Sequence, residues 1–559
     1  MAPLSTSSTL FFVFVFAFAA ATSGDCSPSP MISPSSPCEG SCQPELCNSI
    51  LSNHPLSDKS YGLRGVEQSL DAARRTAAYL DQAGQAGPLD DCREMAKTTT
   101  GELEHVKNTL AAAGRSPAIT AEEAETLLTI MSSAAAGAAS CLDGLEEASM
   151  TSEEAYRRVQ EAGRLFAVAH GLVDRTLGKM ETARATISDH IRNGCISLPI
   201  NPSSTVRLLI LNVPANQTVT VAKDGSGNFS SVTDAVAYAS ENPPPPCGYL
   251  KIHIKAGVYE ENVIVPKSLP GIILHGAGHR RTIITGNRSV ADGYTTYQTA
   301  TLAVSGGRFI AAGIAVMNTA GPEKMQAVAV RNSADCSVFY NCRLEGFQDT
   351  LYAHSRRQLY VSCDIRGTVD FIFGRAAAVF QNCTIVVRRP LPRQTNTITA
   401  QGKECPRFRS GFSIHLSRVL PSKDLMDGRL NNNISTYLGR PWRNYSAVVV
   451  MQSYIDGFLE PRGWLAWGNQ TPPSTVYYGE FENYGDGAET DGRVRWEGYK
   501  KNMGRTEAEM FTVAELIAGD SWLSQTAIPY HPGLVQLFNK SNSPRQSPIS
   551  KYNSQCNFF

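Results

Sequence analysis

Two aspartates carry the strongest chemical signal in this chain. Asp349 stands in GFQDTLY (346–352), and Asp370 follows in GTVDFIFGR (367–375). Phe371, Ile372 and Phe373 come directly after Asp370, so its carboxylate borders an apolar run. A carboxylate there must be paired, protonated or used, because burying a lone charge is costly. Two carboxyl groups held side by side cannot both ionise cheaply. One is pushed towards the neutral acid while the other stays charged, and the two titrate as a pair. Such a pair supplies a nucleophile or base together with a proton donor. Gln326, in MQAVAV, and Gln348 add amides that can donate to an oxyanion. Arg440, in YLGRPWRNY, can hold a carboxylate bidentately, or can be a loop ion pair. The same residue types serve other ends: a calcium site, a retaining glycosidase, or a polar stack that only satisfies turns. A serine-elbow esterase finds no support, since the chain has no Gly-X-Ser-X-Gly segment.

A repeat brings these residues together. CSVFYNCRLEG (336–346), RQLYVSCDIRG (357–367) and AAVFQNCTIVV (377–387) place Cys342, Cys363 and Cys383 at one position of a nearly constant period. Asp349 and Asp370 are separated by the same step as Cys342 and Cys363. Asn318 and Asn341 end similar runs at a slightly longer step, and that step also separates Gln326 from Asp349. Short Val/Ile/Phe-rich runs at this period predict a β-solenoid, with a sandwich or propeller as the alternative. Equivalent residues on neighbouring coils then stack at roughly 4.8 Å. Stacked cysteines fall within the Cα range of a disulfide, about 4.4–6.8 Å. Gln326, Asp349 and Asp370 are expected on three consecutive coils, facing the same way.

The rest of the chain frames this region. Its 559 residues exceed one compact core. Lys+Arg and Asp+Glu balance at 51 each, but acids predominate before residue 207 and bases after it. The two parts can attract each other, and the basic part suits an acidic polymer. Residues 1–23, with an apolar stretch from Leu10 to Ala21, read as a signal peptide. No later segment reads as a membrane span, and nothing points to a nucleic acid. Export turns the fourteen cysteines towards disulfides rather than a metal site. Sequons begin at Asn216, Asn228, Asn287, Asn382, Asn433, Asn444, Asn469 and Asn539. Residues 24–37 form a flexible Ser/Pro-rich segment. Residues 38–195, rich in Ala, Leu and Glu at three- and four-residue spacing, predict an all-α helical bundle. A linker at 196–217, the strand-rich region at 218–538 and a disordered tail at 539–559 follow.

The motifs taken together resemble a known family. GVYEE (257–261), QAVAV (326–330), GFQDTLY, GTVDFIFG and LGRPW (438–442) resemble, in order, the five signature segments of plant pectin methylesterases. The resemblance implies a right-handed parallel β-helix that hydrolyses methyl esters of galacturonate in pectin, outside the cell in the cell wall, without metal or organic cofactor. It implies Asp370 as nucleophile, Asp349 as acid and then base, and Gln326 and Gln348 as oxyanion donors. Arg440 matches the residue that bonds the nucleophile and helps bind substrate. Thr296, Trp442, Tyr352 and Trp464 match substrate contacts. Cys363 and Cys383 match the family disulfide, which leaves Cys342 out. The helical part resembles the pectin methylesterase inhibitor domain, with Cys38 matched to Cys47 and Cys92 to Cys141. An acidic bundle covering a basic groove would be an internal inhibitor; a folding aid or inert spacer is the alternative. The family's linker carries a basic pair before two leucines, whereas VRLL (206–209) has only Arg207. Cys336, Cys405 and Cys556 have no partner assigned by the resemblance. A polysaccharide-cleaving enzyme and a non-catalytic wall-binding protein are the competing functions.

Overall fold

The computed structural model describes residues 37–536, apart from 53–59, 85–86, 114–118, 150–151, 180–214, 430–433 and 469–470. The expected signal peptide, the tail, Arg207 and nearly all of the linker lie outside the described residues.

Among the described residues, five helices come first: α1 (Pro44–Leu51), α2 (Tyr61–Gln82), α3 (Gly87–Ala113), α4 (Ala121–Glu147) and α5 (Glu153–Lys179). Apolar spacing gives each long helix a buried face; α2, for example, buries Val66, Leu70, Ala73 and Leu80. A capping box starts α4. Thr120 Oγ1 accepts from the Glu123 amide at 3.1 Å, and the Glu123 carboxylate accepts from the Thr120 amide at 3.0 Å. Disulfides Cys38–Cys47 and Cys92–Cys141 hold the bundle, with Cα separations of 5.7 and 4.8 Å. Contrary to the sequence expectation, α4 is long and apolar enough to cross a membrane, yet 78% of that stretch is buried within the protein. Its burial from Leu127 to Cys141 is nearly continuous because the bundle packs on one side and the strand region on the other.

The second region is a parallel β-helix. Its strands form three sheets of eleven, eight and seven strands. Aromatic rings stack inside it: Phe309, Phe339, Tyr360 and Phe380 follow one another at centroid distances of 5.6, 5.2 and 4.9 Å. The register supports the cysteine ladder, since Arg343 pairs with Asp364 and Asp364 with Thr384. It corrects the asparagine match. Ala315 pairs with Arg343, a longer step than the repeat predicts, because this coil carries an extra loop with a short 3₁₀ turn at Pro322–Lys324. Asn318 instead donates to the carbonyls of Arg288 and Val328. Gln326 is likewise out of register with Asp349. Val330 pairs with Leu351, so Val328 is the position equivalent to Asp349.

The implied Cys363–Cys383 disulfide is also corrected: Cys336, Cys342, Cys363 and Cys383 are all free thiols. Residues stacked in a parallel ladder point the same way instead of converging. Two of the thiols meet a carbonyl of the preceding coil: Cys363 Sγ donates to Phe339 O at 3.2 Å and Cys383 Sγ to Tyr360 O at 3.3 Å. Cys405 pairs with Cys42, which joins the two regions covalently with a Cα separation of 5.7 Å.

Candidate active site

Asp349 and Asp370 sit at the turns that enter two adjacent strands of the seven-stranded sheet, Leu351–Ala353 and Ile372–Gly374. Leu351 pairs with Ile372, so the aspartates share one register position, roughly 4.8 Å apart along the stack. Both adopt left-handed backbone, with φ of 63° and 50°. That conformation is costly for a residue other than glycine and clusters at functional sites. Phe371 and Ile372 anchor the turn in the core at 0% exposure. Gly374 closes the motif at φ 127°, where an added Cβ would lie 2.0 Å from Ala353 O.

Arg440 grips Asp370 bidentately. Nε donates to Oδ1 at 2.8 Å and Nη2 to Oδ2 at 2.5 Å. The Arg440 guanidinium lies over the Trp467 ring, 4.3 Å from its centroid. Burial pushes the Asp349 carboxyl well above the ordinary range; the neighbouring Asp370 and Glu147 add to this, and Arg440 opposes it. Desolvation therefore favours the neutral acid at Asp349, beside an Asp370 gripped by Arg440. Gln326 and Gln348 line the same cavity of about 220 Å³ as the two aspartates and Arg440. Gln326 Oε1 has no hydrogen-bond partner among the described residues. Among the described residues no cluster of three or more His, Cys, Asp or Glu is placed to hold a metal ion.

Strand alternation forms the groove floor. Arg331, Tyr352, Phe373 and Ala400 are in register on successive coils, while their neighbours Leu351 and Ile372 point inward. Tyr352 stacks on Phe373 at 4.3 Å, and Trp442 meets Phe373 edge-on at 6.0 Å. Trp464 does not belong to this surface. It is fully buried, packs on Tyr478 at 4.3 Å and donates from Nε1 to Glu480 at 3.3 Å. The cavity wall carries Trp467 instead. Sequence reasoning also missed Phe373 and Thr397. Period-two alternation from Asp370 could have pointed to Phe373. Thr397 is the register equivalent of Asp370, but it lies across a longer coil, as Ile372 pairs with Thr399.

The helical bundle roofs the groove. Ser140, Asp143, Gly144 and Glu147 of α4 complete the cavity over the aspartates. Glu147 accepts from Thr296, from the amide at 2.8 Å and from the hydroxyl at 2.5 Å. Burial raises its pKa against those bonds. Ser140 Oγ bonds the Tyr352 hydroxyl at 2.9 Å, and Asp143 accepts from Arg375 at 2.9 Å and from Arg443. Farther along, Asp91 accepts from Thr295 at 2.6 Å and from Gln298 at 2.9 Å. Burial lifts Asp91 to about 6, although those two donors and Arg331 pull the other way. Glu102 bridges Arg356 at 2.6 Å and Lys267 at 2.9 Å. Burial works to raise its pKa, but the two cations prevail and hold it below the usual value.

The pectinesterase family profile matches residues 218–520, and that of the plant invertase/pectin methylesterase inhibitors matches 34–172. Probable pectinesterase/pectinesterase inhibitor 20 of Arabidopsis thaliana is 39% identical over 532 residues, covering 90% of this chain and 94% of that protein. Pectinesterase 3 of Citrus sinensis is 38% identical over 526 residues, covering 89% and 88%. The solved pectin methylesterase from carrot is 47% identical with a TM-score of 0.55, and covers 59% of this chain and 100% of its own.

Proposed function

This chain belongs to the pectinesterase family, a pectin methylesterase with an inhibitor-like helical domain, and on that premise we propose that Asp370 is its nucleophile and Asp349 its acid and base. The Arg440 fork fixes the Asp370 carboxylate in the cavity. Asp370 attacks the ester carbonyl of a galacturonate unit, and the carbonyl oxygen becomes an oxyanion. The amides of Gln326 and Gln348 donate to that oxyanion. As the intermediate collapses to an acyl-enzyme, Asp349 gives its proton to the departing methoxide, and methanol leaves. The Asp349 carboxylate then takes a proton from water, which attacks the acyl carbon and frees Asp370 and galacturonic acid, whose own proton passes to solvent. Tyr352, Phe373, Trp442 and Trp467 offer ring faces to the sugars, and Thr296 offers polar contacts.

The observation that carries this reading is the contrast within one register: a buried, neutral Asp349 next to an Asp370 held by Arg440. Asp370→Asn tests it. Methanol release from methyl-esterified pectin should fall by about 10⁴ with unchanged circular dichroism. A folded variant that turns over normally rules out the nucleophile assignment.

The reading includes control. With Ser140, Asp143 and Glu147 over the aspartates, the bundle excludes the polymer from the groove, so the chain is closed until the bundle leaves. Export to the cell wall, expected from the leader at 1–23, belongs to the same reading, with pectin as the partner polymer.

A further inference from the structure

We propose that Thr397 is a positioning residue that clamps the nucleophile and commits one of its two oxygens, an inference resting on Asp370 as nucleophile. Thr397 is fully buried on the strand Asn396–Gln401, one coil beyond Asp370 and in register with it. Its hydroxyl accepts from the Asp370 amide at 3.0 Å, so its single proton is free for the carboxylate, and it donates to Oδ1 at 2.6 Å. One hydroxyl thus ties the backbone and the side chain of the same residue, in a left-handed conformation that needs support. Oδ1 receives both Thr397 and Arg440 Nε, whereas Oδ2 receives only Arg440 Nη2. Oδ2 keeps the remaining acceptor site and is the attacking atom.

Thr397→Val keeps the shape and removes the hydroxyl; Thr397→Ser keeps the hydroxyl. In a chain beginning at residue 215, which lacks the roof and matches the carrot enzyme over that enzyme's full length, Thr397→Val should lower kcat by about ten- to a hundredfold, the range for a hydrogen bond to a charged group. KM should stay within about twofold, since no substrate contact is lost. Thr397→Ser should restore most of the rate. A Thr397→Val chain with the parent kcat overturns the clamp, as does a Ser variant that fails like Val. Asp370→Asn is run alongside: if it stays active, the nucleophile assignment has failed rather than the clamp.

A separate observation concerns release of the bundle and rests on the closed reading above. Cys42–Cys405 spans 363 residues of sequence and joins the segment before α1 to the loop after Asn396–Gln401. We infer that cutting the linker leaves the bundle attached, and that opening also needs a dithiol reductant. A thiolate of the dithiol attacks one sulfur, its second thiol resolves the mixed disulfide, and Cys42 and Cys405 end as thiols while the dithiol ends as a disulfide. A cavity of about 260 Å³ is lined by both cysteines and gives the reductant a way in. Until reduction, the tether keeps the severed bundle at high effective concentration over the groove. A site-specific protease sequence placed at 206–209 tests this. After cutting, the chain should run as one species without dithiothreitol and as two with it, and methanol release should rise only when both are applied. Cys42→Ser combined with Cys247→Ser, since Cys247 is also disulfide-bonded, should open on cutting alone. Separation without reductant overturns the tether. One species whose activity rises on cutting alone preserves the tether and overturns the need for reductant in opening.

Discussion

The bundle and the β-helix solve the problem of bringing side chains together in opposite ways. In the bundle, residues that share a face are three or four positions apart, so α2 announces its buried edge locally. In the β-helix, residues that meet are a whole coil apart, and the coil from Asp370 to Thr397 is longer than the one from Asp349 to Asp370. The chemistry therefore lives in the region whose contacts are non-local. On the proposed reading, control lies where the two regions touch. The bundle presents Asp91, Glu102, Asp143, Glu147 and Asp174; the β-helix answers with Thr295, Arg356, Arg375, Thr296 and Arg407. α4 shows the difference most directly, being apolar nearly all round because it has a partner on each side.

Asp349→Asn breaks the β-helix side of this contrast and leaves the bundle intact. An amide cannot cycle a proton, so methanol release should fall by about 10³–10⁴, with circular dichroism unchanged. Removing the bundle breaks the other side. A chain beginning at residue 215 retains the part that matches the carrot enzyme over its full length. Its methanol release should exceed that of the full chain by about a hundredfold, the population ratio that a few kcal/mol of closure maintains. Equal rates would show the bundle to be a passive spacer.

Acidity should sharpen the comparison. Asp91, ordinarily near 3.8, is raised to about 6 in the closed chain, so between those values the closed form holds a proton that the open form releases. This contribution to closure is full below about 3.8 and is lost as pH rises from there through about 6, by about 3 kcal/mol in all. Glu147 is shifted in the same direction. Arg331 faces Asp91 and favours its charge, and Glu94 opposes it. Glu102 is lowered, so its contribution is present above its ordinary 4.5 and is lost as pH falls below it. Inhibition of added catalytic region by the bundle should be stronger at pH 5 than at pH 7, and Asp91→Asn should flatten that dependence. The smallest effect is expected at the rim. Asp174 meets Arg407 at 3.0 Å with both side chains about a third exposed, so Asp174→Asn should loosen closure by only about 0.5 kcal/mol, seen as a roughly twofold change in bundle affinity.

Much of the site is legible because two coils there have nearly constant length. Cys342, Cys363 and Cys383, and with them Asp349 and Asp370, can be phased by counting. Counting fails wherever a coil carries an insertion. It matches Asn318 to the wrong turn, stacks Gln326 on Asp349 although the two are out of register, and leaves Thr397 invisible. Trp464 and Trp467 look alike as residue types, and only packing puts one under Tyr478 and the other beside Arg440. The stacked cysteines have the spacing for a disulfide but lack converging side chains.

By itself the sequence determined the helical and coiled regions and the pairing of two aspartates, because each depends on a period or a motif contained in a short stretch; the two disulfides within the bundle were implied by the family resemblance. The tertiary structure alone decided that α4 lies over those aspartates, that Cys42 meets Cys405, and that Asp349 is pushed towards its neutral form. Those outcomes depend on which surfaces exclude water from one another. Desolvation and contact are properties of surfaces brought together from distant parts of the chain, and no local pattern encodes them.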